Sequence, residues 1–371
     1  MRIVIDVRTM CDHFPGIGRH TFDLARTLAL QIDQDELILL TNPDLPNTRF
    51  DLSSIKSSSR VRTEATRSRP FTLWEQVRLP AELKVLRPDV IHFPYPMIPF
   101  GAQRPIIISV HDLIPIRLPQ YFSFRHRVLY RISLRLGLRA ADAVICPSRA
   151  TFSDLQSVFH LDASRLFMVP AGIGETFHPR TAGELKSAKA IYRLPDQYIL
   201  YVGSNKPHKN LTALVDAYAR LQGAPLLVIA GQEDARYLDI RHRVDSLGLG
   251  EKIRFAGAIP EKDLPVIYSG SMAFIFPSLY EGFGFPPLEA MACGAPVACS
   301  DIACLRETAG DAALFFDPHS PESITNAITR ILRDLELRAT LRKRGQRRAA
   351  ELSWDHAARQ TLEIYRRAIA R

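Results

Sequence analysis

The chain has 371 residues, 46% of them hydrophobic and 23% charged, and its 48 Lys and Arg against 39 Asp and Glu give a formal charge of +9. That length exceeds one ordinary domain, the composition excludes a disordered or fibrous chain, and the charge favours anionic partners: a nucleotide, nucleic acid or an acidic membrane surface. No run of about 18 apolar residues marks a membrane span. The MRIVIDVRT start, interrupted by Asp6, reads as a strand and not a signal peptide, and five cysteines without CxxC spacing read as thiols of a reducing cytoplasm.

In chain order, short apolar runs predict strands at 3–7, 37–41, 89–93, 106–112 and 142–148, then at 198–204, 225–231, 252–259, 273–278 and 296–301. Amphipathic stretches at 19–31, 209–222, 234–247 and 287–293 lie between them, SSIKSSSR (53–60) reads as a loop, and the final segment reads as a helix with Trp354, Ala358, Leu362 and Tyr365 on one face. Strands alternating with helices predict an α/β chain with parallel sheets covered on both faces. Two such series, split near 172–195, predict two doubly wound domains, whose ligands belong beyond the carboxyl ends of the strands in a cleft between them.

The stretch YEGFGFPPLE (280–289) sets Glu281 and Glu289 on either side of a glycine loop. Gly282 and Gly284 permit tight turning and close approach of a ligand, Pro286 and Pro287 suit a helix start, and AFIFPS before them reads as a buried strand. Strand, glycine loop and helix N-terminus in that order suit a phosphate, and ionised carboxylates beside it can accept hydrogen bonds from sugar and ribose hydroxyls. GIG at 16–18 also stands between a strand and a helix, but Thr21 replaces the third glycine of a dinucleotide fingerprint and the second strand ends in Leu40-Thr41-Asn42, so NAD is disfavoured. DQD at 33–35 reads as a solvated turn, and no cluster has metal-ligand spacing, so neither metal nor cofactor is expected.

His111 and Asp112 close the strand IIISVHD at its carboxyl end. In 125–139, Arg127, Arg131, Arg135 and Arg139 recur at i, i+4, beside Val128, Leu129, Ile132 and Leu136. Such a helix either lies on an anionic membrane or packs its apolar face into the core. A nucleic-acid-binding protein would interleave basic residues with exposed aromatics. The aromatics here fall in strands and helix faces, so no nucleic acid partner is expected.

PSLYEGFGFPPLEAMACGAPVACSD (277–301) resembles the donor-binding signature of the retaining GT-B glycosyltransferases of the group 1 (family 4) type, which include bacterial mannosyl- and glucosyltransferases; Glu281 to Glu289 satisfies its E-x7-E spacing. GIG (16–18), HD (111–112), VGSNKPHKN (202–210), VIAG (228–231), RFAGAI (254–259) and LRETAGDAALFFDP (305–318) match in order. The resemblance implies two Rossmann-like domains facing a central cleft: an acceptor domain at 1–180 with helix 355–371 packed back on it, and a nucleotide-sugar donor domain at 181–354. It also implies a retaining, metal-independent transfer of a hexose, mannose from GDP-mannose first, to a glycan or lipid-linked acceptor. The enzyme is expected in the cytoplasm, peripheral at the inner membrane face through 125–139. A sugar-nucleotide epimerase is the rival within the fold. Glu281 and His111 are expected on the transferred sugar, with Asp112 beside them, Glu289 on the ribose and Lys209 on the diphosphate. Gly16, Gly18, Ser204, Gly231, Gly282, Phe283, Gly284 and Phe285 complete the donor site. Many members carry an arginine where this chain has Ser204, which leaves Lys206 and His208 as nearby candidates for the second cation.

Overall fold

A computed structural model describes residues 1–55, 59–99 and 101–370. They form two compact units, Met1–Gly172 with Ser353–Arg371, and Ile173–Leu352. The division expected at 180/181 therefore falls earlier. The intervening stretch packs with the second unit: Phe177 lies 6.3 Å from the Tyr268 ring, and the Arg180 N–H donates to Ser269 Oγ at 3.2 Å. Of the loop at 53–60, residues 56–58 lie outside the described residues, and Leu52–Ile55 form a 3-10 turn.

The first unit runs β1 (Arg2–Asp6), α1 (Pro15–Gln31), β2 (Glu36–Thr41), β3 (Val61–Ala65), α2 (Leu73–Leu86), β4 (Val90–Phe93), β5 (Ile106–Ser109), α3 (Ile114–Arg117), α4 (Phe124–Ala140), β6 (Ala143–Cys146), α5 (Arg149–Phe159) and β7 (Leu166–Met168). Its described strands form a parallel sheet in the order β3-β2-β1-β4-β5-β6-β7. Alternate residues Val4, Ile38, Ile91, Ile108 and Val144 point to one side, where they meet Leu79 and Leu83 of α2, Leu134 and Leu138 of α4 and Leu155 of α5. Truncating any of those leucines costs about 2–5 kcal/mol. A Cβ on Gly137 would stand 1.9 Å from the Pro96 carbonyl oxygen, so α4 can sit this close only because a glycine is there.

The second unit runs α6 (Ala182–Tyr192), β8 (Tyr198–Val202), α7 (Leu211–Tyr218), β9 (Leu226–Ala230), α8 (Asp239–Ser246), β10 (Ile253–Gly257), α9 (Leu264–Ser269), β11 (Ala273–Phe276), α10 (Phe285–Ala292), β12 (Val297–Ser300), α11 (Ala303–Ala309), β13 (Ala313–Phe316), α12 (Pro321–Arg333) and α13 (Leu335–Glu351). Its sheet, also parallel, has the order β10-β9-β8-β11-β12-β13. The last helix, α14 (Trp354–Ile369), belongs to the first unit. Ser353 caps it by accepting from the His356 N–H. Its buried Tyr365 bonds His92 of β4 at 2.6 Å, and Asp355 accepts from Gln31 of α1.

Candidate active site

Parallel strands all end at one edge of a sheet, and in the second unit the chain order reverses between β8 and β11. A sheet of this kind leaves its crevice at that reversal, and the segments 203–210 and 277–284 leave it side by side. Gly231, after β9, has φ +142° and packs so closely that a Cβ would lie 2.0 Å from the Gly203 carbonyl oxygen. Asn210, in the left-handed conformation, donates to the carbonyls of Pro277 (3.1 Å) and Pro318 (2.8 Å). That bond ties the loop after β8 to the ones after β11 and β13.

These ties bring Lys209 and Glu281 together across 72 residues: Lys209 Nζ lies 2.6 Å from Glu281 Oε1, and 5.2 Å from the centre of the Phe276 ring. Ser278 Oγ donates to the same carboxylate oxygen. Glu289 has a different set of partners. It is 3% exposed, it accepts from Tyr268 Oη at 2.8 Å, and its charge adds to the burial that pushes the Cys293 thiol up. Gly284 caps α10 with φ +96°, no side chain closes that end, and Thr308 Oγ1 donates to the Phe283 carbonyl. Pro286 and Pro287 occupy the second and third helical positions, so two of the four amides that a helix start leaves unpaired are missing. Gly284 and Phe285 keep theirs, so α10 offers an anion fewer donors than its N-terminus alone suggested.

His208 is buried, and that burial, followed by the charges of Lys209 and Lys206, pushes it down to about 4 against an opposing pull from Glu281. With no phosphate anion beside it the His208 ring is therefore neutral, whereas Lys206, the other candidate near Ser204, is exposed. The Ser204 carbonyl accepts from Tyr201 Oη at 2.9 Å, fixing the start of the loop.

Gly16, Gly18, His111 and Asp112 belong to the first unit. GIG lies within the first turn of α1, which begins at Pro15 and not at 19. A Cβ on Gly18 would meet the Thr9 carbonyl oxygen at 2.7 Å, whereas one on Gly16 would meet nothing within 4 Å. Packing thus explains the second glycine and not the first. His111 Nε2 lies 2.9 Å from the Pro94 carbonyl, which can only accept, so Nε2 carries the proton and Nδ1 keeps its lone pair. Burial holds His111 below the ordinary histidine value. The Asp112 carboxylate accepts from the Ile114 N–H at 3.0 Å, which shapes the start of α3. The DQD segment is a turn between α1 and β2, and among the described residues no three His, Cys, Asp or Glu side chains are grouped to hold a metal ion.

Residues 185–348 match the family model for glycosyl transferases group 1, and residues 15–176 that for glycosyltransferase family 4. The O-antigen chain mannosyltransferase B of Escherichia coli is 31% identical over 386 aligned residues, which cover 99% of this chain and 100% of that one. The chain belongs to the group 1 (family 4) glycosyltransferases. The sucrose-phosphate synthase of Thermosynechococcus elongatus superposes with a TM-score of 0.79 at 24% identity, over 100% of this chain and 99% of its own. Anabaena HepE, solved with UDP and glucose, gives 0.78 at 18% over 98% of each. Both likenesses show the fold, two Rossmann-like parallel-sheet domains of the GT-B type.

In this glycosyltransferase the sequence signal missed the partners that hold the site's loops: Asn210, Ser278, Tyr268 and Thr308. It also missed a buried network at the end of β1. There Arg8 donates to Asp6 (Nε to Oδ1, 2.8 Å), to the Ser68 carbonyl (2.7 Å), to Tyr95 Oη (2.9 Å) and to Glu75, while Tyr95 Oη donates to Asp6. The Asp-x-Arg spacing directly after an apolar strand was the one local hint of it.

Proposed function

We propose that this glycosyltransferase is a retaining, metal-independent hexosyltransferase. It takes mannose from a nucleotide-diphosphate sugar, GDP-mannose first, and passes it to a glycan or lipid-linked acceptor on the cytoplasmic side. The Lys209–Glu281 contact beside the glycine loop, at the reversal point of the second sheet, supports this reading best. Breaking the sugar–phosphate bond develops positive charge at the anomeric carbon and negative charge on the departing diphosphate. Lys209 offsets the second, helped by the Gly284 and Phe285 amides. Glu281 accepts from sugar hydroxyls with the lone pairs that Lys209 and Ser278 leave unused. His111, neutral with its proton on Nε2, offers Nδ1 to a further hydroxyl. The leaving phosphate takes the acceptor's proton from the same face, so the anomeric configuration is kept. The mannose choice draws on the Escherichia coli O-antigen mannosyltransferase relative.

Kinetics with GDP-mannose and a soluble mannoside acceptor test the reading. Glu281→Ala lowers kcat, because it touches the sugar near the reacting carbon; Glu289→Ala chiefly raises the donor KM, because ribose contacts are equal in ground and transition states. Wild-type values for both variants, or a product of inverted configuration by NMR, refute it.

A further inference from the structure

Phe71, between β3 and α2, has φ +65°, in the left-handed region that glycine and asparagine enter readily and that strains a bulky side chain. Such strain persists only where the surroundings impose it. Here they act from inside the unit. The Phe71 N–H donates to Glu75 Oε2 at 2.7 Å, while Glu75 Oε1 accepts from Arg8. Arg8 is itself held by Asp6, Tyr95 and the Ser68 carbonyl, and all of these partners are buried.

What this network presents is an aromatic ring turned partly outward. Phe71 is 36% exposed. Its ring meets the buried Tyr95 edge-on at 5.1 Å and Phe14 edge-on at 5.4 Å, and the exposed His13 stands edge-on to Phe14 at 4.5 Å. Phe14 follows β1, Phe71 follows β3 and Tyr95 follows β4, so the cluster sits beyond the carboxyl edge of the first sheet, where a sheet of this kind takes its ligands. Cover for Tyr95 alone asks for an apolar group, but not for one in a strained conformation with part of its surface bare.

The surroundings select the ligand. A lipid chain asks for a continuous apolar trough, but here Asp6, Arg8 and Glu75 lie one contact behind the rings, and His13 flanks them. A nucleobase also stacks on aromatic faces, but the glycine loop and Lys209 assigned to the nucleotide belong to the second unit. A pyranose matches what remains. One of its faces carries C–H groups polarised by their oxygens, which the negative face of an aromatic ring attracts, and its rim carries hydroxyls for polar neighbours. We propose that Phe71, backed by Phe14 and Tyr95, is the stacking surface for the terminal sugar of the acceptor, so that the enzyme recognises a glycan end and not its lipid carrier. The proposal rests on the hexosyltransferase reading for what the bound sugar does, but not for whether it binds.

Saturation-transfer NMR on the full-length protein with the methyl α-glycosides of mannose, glucose and galactose reads binding without turnover. The expected result is transfer concentrated on the axial C–H protons of one ring face of the best-bound sugar. Phe71→Gly removes the ring and relieves the strain, and Phe71→Leu keeps an apolar cover over Tyr95, so at least one stays folded by its melting midpoint. In the folded variants, saturation transfer weakens and the acceptor KM with GDP-mannose rises about tenfold, the size of one stacking contact, while the donor KM holds. Phe71→Tyr, which keeps the ring, retains wild-type binding and acceptor KM. Absence of saturation transfer to all of these sugars, or wild-type binding and acceptor KM in folded Phe71→Leu, overturns the proposal. Equal losses in Phe71→Tyr and Phe71→Leu overturn it too, since the position would then matter for packing alone. Sugar binding that depends on Phe71, with no glycosyl transfer from any nucleotide sugar supplied, bears out the stacking surface and refutes the hexosyltransferase reading instead.

Discussion

Lys209→Met separates a catalytic lysine from one that merely satisfies Glu281. In the wild type the Lys209 and Glu281 side chains are 17% and 11% exposed, and the carboxylate also receives the Ser278 hydroxyl. Exposed pairs contribute about 0–1 kcal/mol, and stripping one partner from a fully buried pair costs about 3–5 kcal/mol. Glu281 retains one donor and some solvent, so we expect a loss of about 2 kcal/mol, which for a unit of this size lowers the melting midpoint by about 4–8 °C. Glu281→Gln keeps an acceptor and loses only charge, for about 1 kcal/mol. The double variant should lose about 1.5 kcal/mol less than the sum, since the partners are in direct contact. Turnover behaves differently: in the role proposed for Lys209, its removal should lower kcat roughly hundredfold to thousandfold, whatever the midpoint does. Scanning calorimetry and steady-state kinetics on the four proteins give both numbers. Turnover within a few-fold of wild type in a destabilised Lys209→Met would refute the leaving-group role and leave the lysine as Glu281's counter-ion.

Burial places His208 at about 4 and His92 at about 3, against 6.5 for a free histidine. Both folded values lie below the unfolded one, so the unfolded chain binds the protons first. Stability is then full above about pH 6.5 and is lost as pH falls towards the folded values, by about 2 kcal/mol per histidine between pH 7 and pH 5. Thermal melts across that range check this; His208→Gln should flatten the dependence, and a flat wild-type profile contradicts it. Gly16→Ala should leave the melting midpoint level or higher, because no atom lies within 4 Å of the new methyl, yet raise a substrate KM; Gly231→Ala, whose methyl would strike the Gly203 carbonyl at 2.0 Å, should cost about 3 kcal/mol or more. Wild-type kinetics in Gly16→Ala would remove that residue from the site. Activity should survive excess EDTA, and loss that magnesium or manganese restores would overturn the metal-independent reading.

Strands were legible where burial on both faces makes the sequence a continuous apolar run, as in LILLT or AFIFPS. The edge strand β10 was still read at 252–259, but the edge strands β3, β7 and β13 were not. In β3, VRTEA, Arg62 and Glu64 replace the apolar signal, because an edge strand can spend its side chains on ion pairs such as Arg62 with Glu36; β7 is three residues long. Helix faces were legible only in part. Hydropathy ranks Val128, Leu129 and Ile132 beside Leu134 and Leu138, but the first three are exposed and the last two buried. What decides it is Gly137, which lets the backbone close on the Pro96 carbonyl and so turns its own face inward. Within the site, the glycine loop and the E-x7-E spacing were plain, and the two prolines that remove helix amides could have been read too. The contact of Lys209 with Glu281 and the neutrality of His208 could not, since both depend on tertiary neighbours.

The buried Arg8 network also fixes the start of α2. Glu75 follows Trp74 directly in α2, yet its side chain is 1% exposed, touching Arg8 and accepting from the Phe71 N–H at 2.7 Å. Burial raises the Glu75 carboxyl against the pull of Arg8, so the network is held by geometry and mutual hydrogen bonding more than by charge alone. The first turn of α2 is thereby pinned from inside by Glu75 and capped by the Thr72 side chain, which accepts from the Glu75 N–H. Leu73 and Trp74, on the opposite side of that turn, are then exposed on a fixed platform, and not because the helix end has frayed. Melting or reorienting this helix end would break the buried Arg8–Glu75 pair, at about 3–5 kcal/mol.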